Sequence, residues 1–295
     1  MRPGIVGWGS SSMALIGPAM EVALAPWGVG FLNEGRGGET SHHTAARLGS
    51  IPLPVSIEGG RLPAAGTVRL LPTALDLVPH ALKPFSGHVA GIAAVVHGTT
   101  EGIFLTRLRP GEPVAVDGDP FVPVTPAALH GRDALLWMGK NDLNRGQDAA
   151  GVIDRIVTSA RFLAAAGARV AVVGQFTNNG ADPAMREKVL EVNRSCAEHF
   201  GPAHLDVQDF LTSPALPAAT GIDPTAEDLA ERAAGAKPPS VSTDPGHFDQ
   251  LGNAAVARHL LRGLQQLDGF DRLSSPASAP DLVATPSSVP AKETS

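Results

Sequence analysis

Apolar residues recur along this chain in two periods, and the switch between them carries the first structural information. Residues 4–8 form a short apolar run. After a cluster of serines, Met13, Ile16 and Met20 then fall on one face at helical spacing. This predicts a strand followed by a helix. Residues 28–32 predict a second strand, and residues 39–47 a second helix. From about residue 51 to 130 the helical period disappears. Val89, Gly91, Ala93 and Val95 share one face up to a turn at residues 99–102, and residues 103–108 follow. Residues 113–116 then meet Asp117-Gly118-Asp119-Pro120, with residues 121–124 beyond; Asp-Gly reads as a hairpin turn.

After His130 the first pattern returns. Ala134-Leu135-Leu136-Trp137-Met138 is a continuous apolar run, as expected of a strand buried on both faces. Ile153, Ile156, Val157 and Leu163 mark a helix, residues 170–173 a buried strand, residues 184–199 a helix and residues 204–207 a short strand. Leu251, Ala254, Val256, Leu260, Leu261 and Leu264 give a final amphipathic helix. The predicted fold class is α/β: a three-layer α/β/α sandwich with a mostly parallel sheet and a small antiparallel β insertion. Residues 1–50 and 131–273 form the α/β domain and residues 51–130 the β-rich insert. Residues 274–295, rich in Ser, Pro, Ala and Thr without period, read as a disordered tail.

Composition narrows the function classes. With 295 residues and 43% apolar, the chain can bury a large core. A net charge of −6 argues against binding nucleic acid through phosphate neutralisation. A single cysteine, Cys196, excludes an internal disulfide or a cysteine-built zinc cage, and its helical apolar face points to inert packing. The longest apolar stretch, residues 14–32, contains Glu21 and is broken by Pro18 and Pro26, so it does not read as a membrane span of about 20 clean residues. No basic start followed by a long apolar run is visible, so a cytoplasmic protein is expected, with secretion by another route left open.

Four segments could carry chemistry, each at a predicted strand end or loop, where ligands of parallel sheets gather. Trp8-Gly9-Ser10-Ser11-Ser12-Met13 lies at a strand-to-helix junction. A hydroxyl there can be exposed while the helix N-terminus steadies negative charge, though serine is also an ordinary helix cap. No Gly-Lys-Ser/Thr follows, which disfavours a phosphate loop. Asn33-Glu34-Gly35-Arg36-Gly37-Gly38-Glu39-Thr40 offers unhindered backbone N–H groups, or simply a flexible turn. Gly139-Lys140-Asn141-Asp142 offers a neutral amide donor, or an Asx turn. Asp244-Pro245-Gly246-His247 can hold an imidazole by its Nδ1–H and leave the other nitrogen to take a proton, or be a surface pair.

In this order the four segments resemble the SGNH, or GDSL-like, hydrolase family, over about residues 1–50 and 131–268. The resemblance implies Ser11 as nucleophile, His247 as general base and Asp244 as its orienting partner. It implies an oxyanion hole built from the Ser11 and Gly38 backbone N–H groups and the Asn141 side chain. The family's usual Asp before the nucleophile is Ser10 here, so Ser10 and Ser12 remain alternatives to Ser11. The implied activity is that of a serine esterase on short-chain, acetyl-type esters, with a carbohydrate ester favoured by the β insert, through an acyl-enzyme and without metal or organic cofactor. An acyltransferase, a thioesterase or lipase on the same triad, and a catalytically silent carbohydrate-binding module are the alternatives. The expected partner is a small-molecule or carbohydrate ester, with no nucleic acid and no membrane span; oligomeric state is not legible.

Other residues invite smaller expectations. His42-His43 read as a solvated helix start that could instead line the pocket. Arg36 and Lys140 read as surface charges. Asn178-Asn179-Gly180 reads equally as a plain turn or as facing the site, and Trp8 and Trp137 as core.

Overall fold

The computed structural model describes residues 4–270 and Leu273. The chain opens with β1 (Ile5–Gly9), α1 (Ser11–Leu24), β2 (Phe31–Gly35) and α2 (Ser41–Leu48). There follow β3 (Leu53–Leu62), β4 (Thr67–Arg69), β5 (Phe85–Val89), β6 (Ile92–Thr99), β7 (Gly102–Arg107) and β8 (Val114–Pro123). Helix and strand then alternate through β9 (Asp133–Trp137), α3 (Lys140–Asn144), α4 (Ala149–Ala165), β10 (Val170–Val173), α5 (Pro183–Phe200) and β11 (His204–Leu205). Helices α6 (Val207–Thr212), α7 (Ala215–Thr220) and α8 (Ala226–Ala233) lead to a ribbon of β12 (Ser242–Asp244) and β13 (His247–Phe248), and α9 (Gln250–Gln265) follows.

Five strands form a parallel sheet in the order β11-β10-β9-β1-β2, so their carboxyl ends share one edge. A separate antiparallel sheet has the order β3-β8-β5-β6-β7-β4. Alternate residues of the parallel strands enter different apolar clusters, as period-2 geometry requires. Ile5, Leu135, Trp137, Ala171 and Val173 pack with Met13, Ile16 and Met20 of α1 and Val256, Leu260 and Leu264 of α9. Val6, Trp8, Ala134, Leu136 and Val172 pack with Leu48 of α2, Val152 and Ile156 of α4, and Val189 of α5. Trp8 and Trp137 are core, as expected. Among the described residues, no helix is long and apolar enough to cross a membrane.

Helix α1, which carries the serine cluster, contains Pro18 and still runs 14 residues. A proline in a helix interior costs about 3 kcal/mol, part of it from the carbonyl four residues back that loses its donor. Here that carbonyl belongs to Ala14, and Asn33 Nδ2 on β2 donates to it at 3.0 Å and to the Met13 carbonyl at 3.0 Å. Gly17 makes room, since a Cβ there would lie 2.1 Å from Asn33 Nδ2. The proline thus becomes a docking point between α1 and the sheet.

The structure departs from the sequence expectations in several places. The second strand lies at Phe31–Gly35, not 28–32, because Ala25–Trp27 form a 3-10 turn and Gly28 turns the chain at φ 61°. Val89 and Ala93 do not share a strand, because the chain reverses at Ala90 (φ 47°) and Gly91 (φ 77°) and pairs Val89 with Ile92. Asp117-Gly118 is not a hairpin turn. It is an irregularity inside continuous β8, where the Gly118 N–H donates to Ser56 Oγ of β3 at 3.0 Å and the register slips. The strand expected over 204–207 ends at Leu205, because Asp206 caps α6 by accepting from Asp209 N. The turn between residues 99 and 102 is as expected, with Thr99 paired to Gly102. The expected tail, residues 274–295, lies outside the described residues.

Candidate active site

Ser11 is the first residue of α1, directly beyond the carboxyl end of β1. Residues there sit in the positive field of the helix N-terminus. Ser10 and Ser12 are buried, and it is Ser11 Oγ that lies 2.8 Å from His247 Nε2. His247 Nδ1 lies 2.8 Å from Asp244 Oδ2 and 3.0 Å from Oδ1. The same Asp244 Oδ1 accepts from the backbone N–H of Gly246 at 2.8 Å and of His247 at 2.9 Å. The carboxylate therefore builds the turn that presents the imidazole. The His247 hydrogen bond foremost, helped by those backbone N–H groups and opposed by partial burial, holds the Asp244 carboxyl below its ordinary range. With Nδ1–H committed to Asp244, the Nε2 lone pair faces the serine hydroxyl; this tautomer follows from the hydrogen bonds.

The loop after β2 runs past the other side of Ser11. Arg36 N donates to the Gly9 carbonyl at 3.0 Å, and a Cβ on Gly37 would lie 4.0 Å from Ser11 Cβ. Gly38 adopts φ 83°, a conformation that favours glycine. Asn141, on α3 beyond β9, donates its side-chain amide to the Glu39 carbonyl at 2.9 Å. The next residue, Asp142, is fully buried and accepts from Ser41 N and Ser41 Oγ, both at 2.7 Å, with Arg155 Nη2 at 3.4 Å. Asn141 and Asp142 thus stitch α3 to the loop that carries Gly38. Glu39 braces that loop from beneath, accepting from Arg47 Nε at 2.8 Å, Arg47 Nη2 at 2.9 Å and Lys83 N at 2.9 Å. The segment before β5 also touches the loop, for a Cβ on Gly38 would lie 3.0 Å from Ala81 Cβ.

Two expectations for single residues change. His43 is neither solvated nor pocket-lining; it is fully buried, accepting from Thr40 N at 3.0 Å and facing the Leu75 carbonyl at 2.8 Å. Burial lowers its pKa, consistent with a neutral ring in a capping box. Lys140 is not a surface charge. It is buried, with Nζ 3.0 Å from the centre of the Phe176 ring and 3.1 Å from the Gly246 carbonyl. Arg36 is exposed, as expected. Asn178-Asn179-Gly180 does lie near the site, with Asn178 beside Gly246, and a cleft of about 670 Å³ next to Pro245 is lined by Asn178, Asn179, Asp182 and Lys188 together with the apolar Leu143 and Met185. Cys196 is free and buried, its thiol pushed up to about 12 by desolvation.

Sequence reasoning gave no role to Glu39, Asp142, Arg155 or Lys237. Asp142 had a signal, since it adjoins Asn141 at a strand end. Lys237 had none: it stands between Ala236 and Pro238 in an unpatterned stretch, yet it is fully buried.

No family model matches the sequence, and no curated protein does so. Several solved structures with a similar fold are GDSL-type lipolytic hydrolases and acylhydrolases. A member of the lipolytic G-D-S-L family from Veillonella parvula is 14% identical, with 90% of this chain and 99% of that one covered and a TM-score of 0.48. A lipase/acylhydrolase from Enterococcus faecalis is also 14% identical, covering 90% and 96%, with a TM-score of 0.47. An acetyl xylan esterase is 12% identical, covering 88% and 98%, with a TM-score of 0.48.

Proposed function

We propose that this chain is a serine hydrolase that cleaves carboxylic esters through an acyl-enzyme. The single observation that supports the reading is the unbroken hydrogen-bond chain from Asp244 through His247 to Ser11 Oγ. His247 Nε2 takes the serine proton as Oγ attacks the ester carbonyl carbon. The negative charge then gathers on the carbonyl oxygen, where the Ser11 and Gly38 backbone N–H groups and the Asn141 amide receive it. His247 returns the proton to the departing alkoxide, and Asp244 stabilises the imidazolium in between. Water, deprotonated by His247, attacks the acyl-enzyme and frees Ser11.

We read the two apolar clusters as the interfaces of a three-layer α/β/α sandwich, with residues 51–130 as an inserted module beside the oxyanion side of the site. The cleft next to Pro245 sets amides and charges beside Leu143, Ala184 and Met185, which suits an alcohol with both hydroxyls and a hydrocarbon face, as a sugar has, so a short acyl ester of a carbohydrate is the proposed substrate class. Ser11→Ala should lower turnover of p-nitrophenyl acetate on the order of 10⁶-fold with the fold retained, and a fluorophosphonate should label the parent at Ser11 but not the variant. A fully active Ser11→Ala protein would falsify the reading.

A further inference from the structure

Two buried lysines grip the loop that presents the proposed base. Lys237 is fully buried between α8 and β12, and its Nζ meets three acceptors: Ser242 Oγ, the Asp244 carbonyl at 2.9 Å and the His247 carbonyl at 2.8 Å. Lys140, also buried, donates from α3 to the Gly246 carbonyl at 3.1 Å. Every carbonyl of the segment 244–247 apart from Pro245 therefore ends on a lysine. We propose that Lys237, with Lys140 as its second anchor, is a positioning residue that sets the His247 imidazole against Ser11 by holding the loop through its carbonyl groups. This rests on the reading of Ser11 and His247 as nucleophile and base.

The chemistry of the acceptors favours an ammonium over any other side chain. A charged lysine carries three N–H donors and no acceptor, which map one to one onto the three oxygens around Lys237. Ser242 Oγ spends its own hydrogen on the Pro238 carbonyl at 2.7 Å, so it can only accept from the lysine. A neutral amine has two hydrogens for these three acceptors and must abandon one. The Asp244 carboxylate closes the turn on itself, but the ribbon is only β12 and β13 with an irregular register, and the two lysines tie that turn to α3 and to the segment before β12. A shift of about 1 Å in an attacking pair is enough to cost about 10²-fold in rate.

Burial pushes Lys237 down to about 8, with Asp244 and Asp249 opposing the shift. The charged and titratable groups around it are Asp244 and His247 on the ribbon, Asp249 at the cap of α9, and Lys140 on α3, whose own pKa its charge helps to lower. The clamp is complete below that range and loses a donor above it. Turnover should therefore fall on the alkaline side with an apparent midpoint near the Lys237 value.

The test is Lys237→Met in the full chain, assayed with p-nitrophenyl acetate. Expected are a kcat loss of about 10²-fold with KM little changed, disappearance of the alkaline limb, and loss or movement of the downfield proton resonance of His247 Nδ1–H, with circular dichroism unchanged. Lys140→Met, which frees only the Gly246 carbonyl, should show a smaller kcat loss and the same movement of the resonance while keeping the alkaline limb that Lys237 sets, and it serves as the test should Lys237→Met fail to fold. A folded variant with parental kcat and pH profile overturns the proposal, as does a kcat loss in which the resonance stays in place. If the parent itself takes no fluorophosphonate label at Ser11, it is the hydrolase reading that fails, and the clamp fails with it.

Discussion

The side-chain amide of Asn141 donates to the backbone carbonyl of Glu39 at 2.9 Å, joining segments 102 residues apart. An amide nitrogen carries two hydrogens. The Glu39 carbonyl engages one and so orients the group, and under the proposed mechanism the second donates to the developing oxyanion. Asn141→Ala should lower kcat by about 10²–10³-fold with a much smaller change in KM. Steady-state kinetics on p-nitrophenyl acetate checks this, and an equal effect on KM and kcat would point to a binding role instead.

Glu39 lies beneath this loop with its carboxylate fully buried against Arg47, whose side chain is 3% exposed. Removing one partner of such a pair strands the other charge in a dry site. Arg47 keeps a weaker contact to Glu34 at 3.3 Å, so the expected cost of Glu39→Ala is at the low end, about 3 kcal/mol. Guanidinium denaturation should give a lower midpoint at unchanged slope. Activity should fall as well, because the loop that Asn141 grips loses its brace.

Cys196 provides a pH signature of the core. Its thiol rises from 9.0 to about 12 in the folded state. Between those values the unfolded chain has released this proton and the folded chain still holds it. The folded state therefore binds more protons, and stability falls as pH rises from 9.0 towards 12, with a slope from this group of at most about 1.4 kcal/mol per pH unit. Comparing the parent with Cys196→Val between pH 8 and 10.5 isolates the contribution. Native protein should also resist iodoacetamide at pH 8 and react once unfolded, since the buried thiol offers little thiolate; rapid alkylation of the folded chain would contradict the packing.

Legibility in the sequence followed the range of the interaction. The run 134–138 announced a strand buried on both faces, because each of its residues has to satisfy one apolar cluster or the other. The second strand begins three residues later than the apolar pattern predicts, because Val29 is as apolar as Phe31 and only the left-handed turn at Gly28 decides where extended pairing begins. Asp117-Gly118 has the local chemistry of a hairpin, but Ser56 on β3 supplies partners that keep β8 continuous through it. Lys140 looks like solvent-facing charge until α3 lays it over Phe176.

What the amino-acid order determined by itself was the alternation of elements and the local turns: Asp244 and His247 stand three apart, close enough for one carboxylate to bind both the backbone and the ring without help from the rest of the chain. Which of three adjacent serines meets that ring was decided only by tertiary packing. Ser11 lies 236 residues from His247, and the choice depends on the α1 docking set by Asn33 and Gly17 and on the lysines beneath the loop. Periodicity records which face of an element is dry, whereas the partner of a buried polar group is set by chain segments that no local pattern can name.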